Sequence, residues 1–231
     1  MAQQLILDIL PPAEPTFENM VPGTNAAVIS AAQNLAPGET IYIWGSDGSG
    51  RSHLLRACAN LHAGFYAGPA SEAQQILGSL LDSQSIPKCV AIDDVHLLGT
   101  DALGSLFGLY NRWRESAGSQ ESFRLIVAGD RAPLQMTCRE DLRTRLGWGA
   151  VFRLSPLSDE DKHAALMSHA QQRGMPLSED VIGWLLTHGS RDIRKLFATL
   201  DALDRHALAN HRPLTLPLLK NMMAQQPSLT T

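Results

Sequence analysis

The hydrophobic rhythm of the chain divides it into three regions. In the middle region, short apolar or β-branched runs stand at 40–44 (TIYIW), 65–66, 89–92, 123–128 and 151–154. Runs of this length bounded by turn residues predict strands. Between them the spacing becomes helical. Leu54, Leu55, Cys58 and Leu61 share a face of a helix opening near Ser52, and 72–81 reads as another. Leu103, Leu106, Phe107, Tyr110 and Trp113 fall at i, i+3, i+4, i+7 and i+10, an amphipathic stripe. Strands alternating with helices predict an α/β fold, a five-stranded parallel sheet flanked by helices. After Pro156 only helical spacing remains. Ser158 with Asp161, and Ser178 with Glu179 and Asp180, predict two helix starts. Ile193, Leu196, Phe197, Leu200 and Leu203 predict a third helix and 214–223 a fourth, together a small all-helical domain. The first ten residues are apolar and run into Pro11, Pro12 and Pro15, so they predict a tail on an extended linker. The expected division is 1–15 tail and linker, 16–156 α/β domain, 157–225 helical domain and 226–231 C-terminal tail.

Composition narrows the classes. With 231 residues, 44% hydrophobic and 18% charged, the chain has ordinary globular usage, which excludes wholesale disorder and a coiled coil. The net charge of −4 argues against non-specific duplex binding, which rests on neutralising many phosphates. The charge is uneven: residues 1–99 carry 3 Lys and Arg against 9 Asp and Glu, the remainder 16 against 14. Arginine dominates the basic half, and its planar fork suits phosphate contacts. Cys58, Cys89 and Cys138 lack C-x-x-C spacing, so reduced thiols in a cytoplasm are expected rather than a disulfide framework or zinc site. No secretory n-region and no apolar run of membrane length is present, so no membrane association is expected.

The chemistry concentrates at strand ends. Residues 45–52 read Gly-Ser-Asp-Gly-Ser-Gly-Arg-Ser, which fits G-x-x-x-x-G-K-[ST] at every fixed position except Arg51. A glycine-rich loop between a strand and a helix lets backbone amides and the helix N-terminus cradle phosphates, and Ser52 can reach a magnesium ion. Arginine keeps the positive charge but is bulkier and forked. Nucleotide binding should survive, with intrinsic hydrolysis weakened or lost. The run 90–94 (VAIDD) ends an apolar strand in Asp93 and Asp94, suited to a metal-water carboxylate and a water-positioning neighbour. Asp130 ends the next strand. Arg139, Arg143 and Arg145 crowd a Gly-Trp-Gly turn, and Arg194 flanks an apolar helical stripe.

Together, 45–55 (GSDGSGRSHLL), 92–94 (IDD), 128–133 (AGDRAP) and 145–149 (RLGWG) resemble the AAA+ domain of the bacterial replication initiator family, DnaA. The lead-in 16–23 (TFENMVPG) is similar as well, and the likeness runs from about residue 15 to 224. Within the family the chain resembles the short DnaA-homologous regulators of initiator inactivation, through Arg51, 156–162 (PLSDEDK) and 4–9 (QLILDI). The initiator's helix-turn-helix DNA-binding domain is not expected here.

The resemblance implies an AAA+ module with a helical lid, holding an adenine nucleotide, ADP rather than ATP, with magnesium possible. It assigns Gly45, Gly48, Ser49, Gly50, Arg51, Ser52 and His53 to the phosphates, Asp93 and Asp94 to metal and water, Asp130 and Arg194 to the two sensor positions, and Val21 and Pro22 to the base. Ser52 and Asp93 would act through the metal. Arg145 matches the arginine finger that acts on a neighbour's nucleotide. Gln4, Leu5, Leu7 and Ile9 match a peptide that docks on the DNA polymerase sliding clamp (the beta subunit). The implied partners are that clamp and DnaA, with little direct DNA binding and a possible homo-oligomer. The implied activity is negative regulation of initiation by stimulating hydrolysis of DnaA-bound ATP. Two alternatives stay open: an autonomous AAA+ ATPase of the helicase-loader or initiator-paralogue type, and, for 4–9, an extra edge strand of the chain's own sheet.

Overall fold

A computed structural model describes residues 14–68, 70–83 and 85–224. Two compact units make up the chain, Pro15–Pro156 and a second built from Leu157 onward. In the first, helix α1 (Ala26–Gln33) precedes β1 (Thr40–Trp44), α2 (Arg51–Leu61), β2 (Phe65–Ala67), α3 (Ala70–Asp82) and β3 (Cys89–Ile92). After these come α4 (Thr100–Ser116), β4 (Arg124–Gly129), α5 (Glu140–Leu146) and β5 (Ala150–Arg153). The strands form one sheet of order β2-β3-β4-β1-β5 with every pair parallel.

Strand alternation sorts the core into two layers. Tyr42, Val90, Ile92, Leu125 and Val127 face α3, α4 and α5, packing on Leu77, Leu106, Leu109, Tyr110 and Leu146. Ile41, Ile43, Cys89, Ala91, Ile126 and Ala128 face α1 and α2, packing on Val28, Ala32, Leu54, Leu55 and Cys58. With both faces covered, β3 is buried at all four positions, which is why its sequence is continuously apolar. β5 is a partly exposed edge. The sheet and its flanking helices are those expected from the hydrophobic rhythm. Strands β4 and β5 each sit one residue away from the expected runs, and α1 was not anticipated. Its residues (AAVISAAQ) are small or apolar almost throughout, so they mark no polar face by which a helical period could be read.

The chain crosses from one side of the sheet to the other around β1. It leaves β1 for the far edge at β2, returns through β3 and β4, then steps over β1 to β5. The C-terminal ends of β1 and β4 therefore meet at a switch point, where ligands of open α/β sheets bind.

The second unit is all helical: α6 (Asp159–Gln172), α7 (Glu179–His188), α8 (Ile193–Ala209) and α9 (Leu216–Ala224). Leu166, Val181, Leu185, Leu196, Leu200, Leu203 and Leu219 form its core. The start of α6 is a capping box: the Asp161 amide donates to Ser158 Oγ at 3.0 Å and the Ser158 amide to Asp161 Oδ2 at 3.1 Å. No helix among the described residues is long and apolar enough to cross a membrane.

Candidate functional site

The loop from Gly45 to Gly50 leaves β1 at the switch point. Its path needs glycine for two different reasons. A Cβ at Gly45 would overlap the Leu154 carbonyl oxygen, so the backbone there passes too close to the segment after β5 for any side chain. Gly48 (φ 75°) and Gly50 (φ 99°) are left-handed, a region other residues enter at a cost. The turn delivers Gly50 as the N-cap of α2 with no side-chain cap, leaving first-turn amides for an anion.

Ser49 in this loop and Arg51 at the first position of α2 are buried, each 6% exposed. Ser49 Oγ and Arg51 Nε have no hydrogen-bond partner among the described residues. Orphaned polar groups are rare in a buried setting, and two where a glycine-rich loop enters a helix fit a phosphate ligand. The rest of the Arg51 guanidinium is committed: Nη1 donates to the Gly45 carbonyl, Nη2 to Asp94 Oδ1 at 3.0 Å and to Asp47 Oδ1 at 3.3 Å. Asp47 is almost fully exposed, so the partner that counts is Asp94.

Asp94 stands just past β3 in the left-handed region (φ 47°, ψ 42°), which turns its carboxylate toward α2. Burial, and then the charge of Asp93, raise its pKa above the usual carboxylate value, with Arg51 pulling the other way. Asp93 is fully buried. Its Oδ1 accepts from the Asp94 amide at 2.8 Å and its Oδ2 from the Tyr66 hydroxyl at 2.9 Å. Burial and then Asp93 push the Tyr66 phenol up, so Tyr66 is the donor. The Arg56 guanidinium covers the Tyr66 ring at 4.7 Å.

Asp130, at the end of β4, is gripped by Arg131: Nε donates at 2.7 Å and Nη2 at 2.5 Å. That contact, foremost, holds the Asp130 carboxyl below its usual range. Tyr42 links the neighbourhoods. Its hydroxyl donates to the Arg131 carbonyl at 2.9 Å, and burial, then Asp130, push its pKa up while Arg51 opposes.

The lead-in segment is tied onto α2 beside the loop. His53 Nε2 lies 2.9 Å from the Thr16 carbonyl, Asn60 Nδ2 donates to the Pro15 carbonyl at 3.0 Å, and the Met20 methyl would lie 3.7 Å from a Cβ on Gly50. The His53 ring is thus turned to the lead-in segment. Val21 is half-buried and Pro22 exposed. Asn25 locks their far end: its side-chain amide donates to the Ser155 carbonyl and accepts from the Ser155 amide, both at 2.8 Å.

Arg145 lies elsewhere in this unit, in the last turn of α5. Its guanidinium rests 3.4 Å from the Phe107 ring centroid and 5.1 Å from that of Trp148, with Nη1 3.4 Å from the Phe107 carbonyl. Arg139 approaches the same Phe107 ring at 5.7 Å and Arg114 covers Trp148 at 4.8 Å. In the helical unit, Arg194 closes on Asp192 through Nε at 3.1 Å and Nη2 at 2.7 Å.

The structure therefore brings Arg51 and Asp94 together at the loop. It turns Asp93 away to Tyr66, and stores Arg145 on an aromatic platform. Gln4, Leu5, Leu7 and Ile9 lie outside the described residues. Sequence reasoning missed Tyr66, Asn25 and Phe107 as contributors. Phe107 and Tyr66 carried a signal only as positions of a helical stripe and of a short strand, and Asn25 carried none.

Residues 159–223 match the family model described as "Hda, lid domain". Among solved structures, domain III of the Thermotoga maritima replication initiation protein DnaA aligns with a TM-score of 0.69 at 20% identity, covering 96% of this chain and 100% of that one. AMPPCP-bound DnaA from Aquifex aeolicus aligns at 0.61 and 22% identity, over 86% of this chain and 70% of that one. A Thermotoga maritima RuvB mutant aligns at 0.64 and 13%, over 94% and 72%. The fold is that of the AAA+ proteins to which DnaA and RuvB belong.

Proposed function

We propose that this chain, with a DnaA-like AAA+ fold and an Hda-type lid, is a negative regulator of replication initiation that stimulates hydrolysis of ATP bound to DnaA. The match of residues 159–223 to the Hda lid family carries the reading. The glycine-rich loop binds an adenine nucleotide, and ADP suits it best. The AMPPCP-bound relative supports the adenine nucleotide, and the orphaned Ser49 Oγ and Arg51 Nε supply donors for its phosphates. Arg51 is tied to Asp94, so it does not act as the mobile point charge that follows a γ-phosphate through transfer. The chemistry then falls on the partner's nucleotide. There Arg145 leaves Phe107 and sets its fork against the charge that develops on the transferring phosphoryl group. Residues 4–9 tether the chain to the sliding clamp by laying a glutamine and spaced apolar side chains into a groove.

The test is the half-life of DnaA-bound ATP with DNA-loaded clamp, with and without this chain and with a version lacking residues 1–10. The full chain should shorten the half-life and the truncated one should not. No acceleration by folded, nucleotide-bound chain would overturn the proposal.

A further inference from the structure

Both carboxylates after β3 already receive donors of the protein itself. Asp93 is 0% exposed, with one oxygen on the Asp94 amide and the other on the Tyr66 hydroxyl. The hydroxyl is itself fixed: Gly68 passes so close that a Cβ there would lie 2.7 Å from it and 3.1 Å from the Asp93 Cβ. Asp94 receives Arg51 Nη2 at 3.0 Å. A magnesium ion demands near-octahedral oxygen ligands at about 2.0–2.1 Å and gives up its waters reluctantly. Asp93 is enclosed, so for the ion or one of its waters to reach it Tyr66 would have to move, and the ion's charge would stand beside the buried Arg51 guanidinium. The expected pairing of Ser52 and Asp93 around magnesium does not fit this donor set.

We infer that the phosphate loop binds a nucleoside diphosphate without a divalent cation. Arg51 supplies the positive charge that the cation would bring, held in place by Asp94, and Tyr66 keeps Asp93 as an internal anchor of the strand end. The inference rests on the nucleotide reading given above.

Fluorescent ADP titrated into the full chain, in EDTA and in excess Mg2+, tests both. The dissociation constants should agree within about twofold. Tyr66→Phe frees one Asp93 oxygen, and Arg51→Lys releases Asp94 from its fork. Each should create a preference for Mg2+ of about tenfold. Wild-type binding that strengthens about tenfold with Mg2+ would overturn the inference and leave the nucleotide reading standing. Equal wild-type binding with no gain in either variant would overturn the roles given to Tyr66 and Arg51. Absence of binding in both buffers would overturn the nucleotide reading and this inference with it.

Discussion

Arg51 and Arg145 belong to the same unit and are held in opposite ways. Arg51 is buried, bonded to a backbone carbonyl and paired with a half-buried carboxylate. Arg145 is half-buried and rests on the Phe107 and Trp148 rings, and its bond to the Phe107 carbonyl spans 3.4 Å, the weak end of hydrogen-bond geometry. A buried pair broken on one side costs about 3–5 kcal/mol, whereas a cation–π contact near the surface is worth about 0.5–1 kcal/mol. One charge is part of the fold, and the other can be handed to an external phosphate at little cost. The comparison breaks if Arg145→Ala leaves stimulation intact. It should instead lower the rate of DnaA-bound ATP hydrolysis by about 10²-fold or more, with ADP and clamp binding unchanged. Arg145→Lys should not rescue, because an ammonium lacks the fork.

Removing the partner of the committed arginine comes next in size. Asp94→Ala leaves the Arg51 guanidinium in its loop without its carboxylate and also keeps a non-glycine residue at positive φ. Because the Asp94 carboxylate is about a quarter exposed, a destabilisation of about 2 kcal/mol is expected, below the range for a fully buried pair. Denaturant midpoints measure it. Asp47→Ala, which removes the solvent-exposed partner of the same guanidinium, should leave the midpoint in place. Similar losses from both would contradict the assignment of Asp94 as the partner that counts.

These differences were only partly legible in the sequence. The loop 45–52, the Asp93 and Asp94 pair and the Ser158 and Asp161 box are local patterns, each encoded within a few residues, and each was read directly. The Tyr66–Asp93 bond joins β2 to β3 across 27 positions, and the Asn25–Ser155 clamp spans 130. Such pairings depend on strand order, which no local spacing encodes. Phe107 illustrates the same limit. Its place on an amphipathic stripe was evident, yet the ring under Arg145 depends on how α4 and α5 pack. Helix α1 escaped because its residues lack contrast rather than apolar character.

The platform gives a smaller prediction. Phe107→Leu keeps apolar volume on α4 but removes the π face, so it should cost about 0.5–1 kcal/mol of stability. It should also shift the side-chain NMR resonances of Arg145, which the ring now shields. Unchanged Arg145 resonances would show that the stack does not persist in solution.

The smallest effect is a matter of sign, and it compares two carboxylates, one from each unit. Burial raises the pKa of Asp192, but the hydrogen bonds and charge of Arg194 outweigh it and hold the carboxyl below its ordinary 3.8. Such a group stabilises the native state above its ordinary value and loses that contribution as pH falls through the depressed one. Asp94 is raised, so the proton-linked part of its contribution is present below its ordinary value and fades as pH climbs through the raised one, apart from what removing the side chain would cost by orphaning Arg51. Asp192 also caps α8, accepting from the Arg194 amide at 2.9 Å. Asparagine caps as well as aspartate, so Asp192→Asn keeps the cap and removes the charge together with one of the two Arg194 side-chain bonds. Relative to wild type its melting temperature should fall by about 2 °C near neutral pH, and the gap should close as pH drops below the ordinary carboxylate value. Asp94→Asn should produce a gap that changes with the opposite slope over a higher pH range. Parallel profiles for the two variants would mean that Arg194 and Arg51 do not hold their carboxylates in different ways.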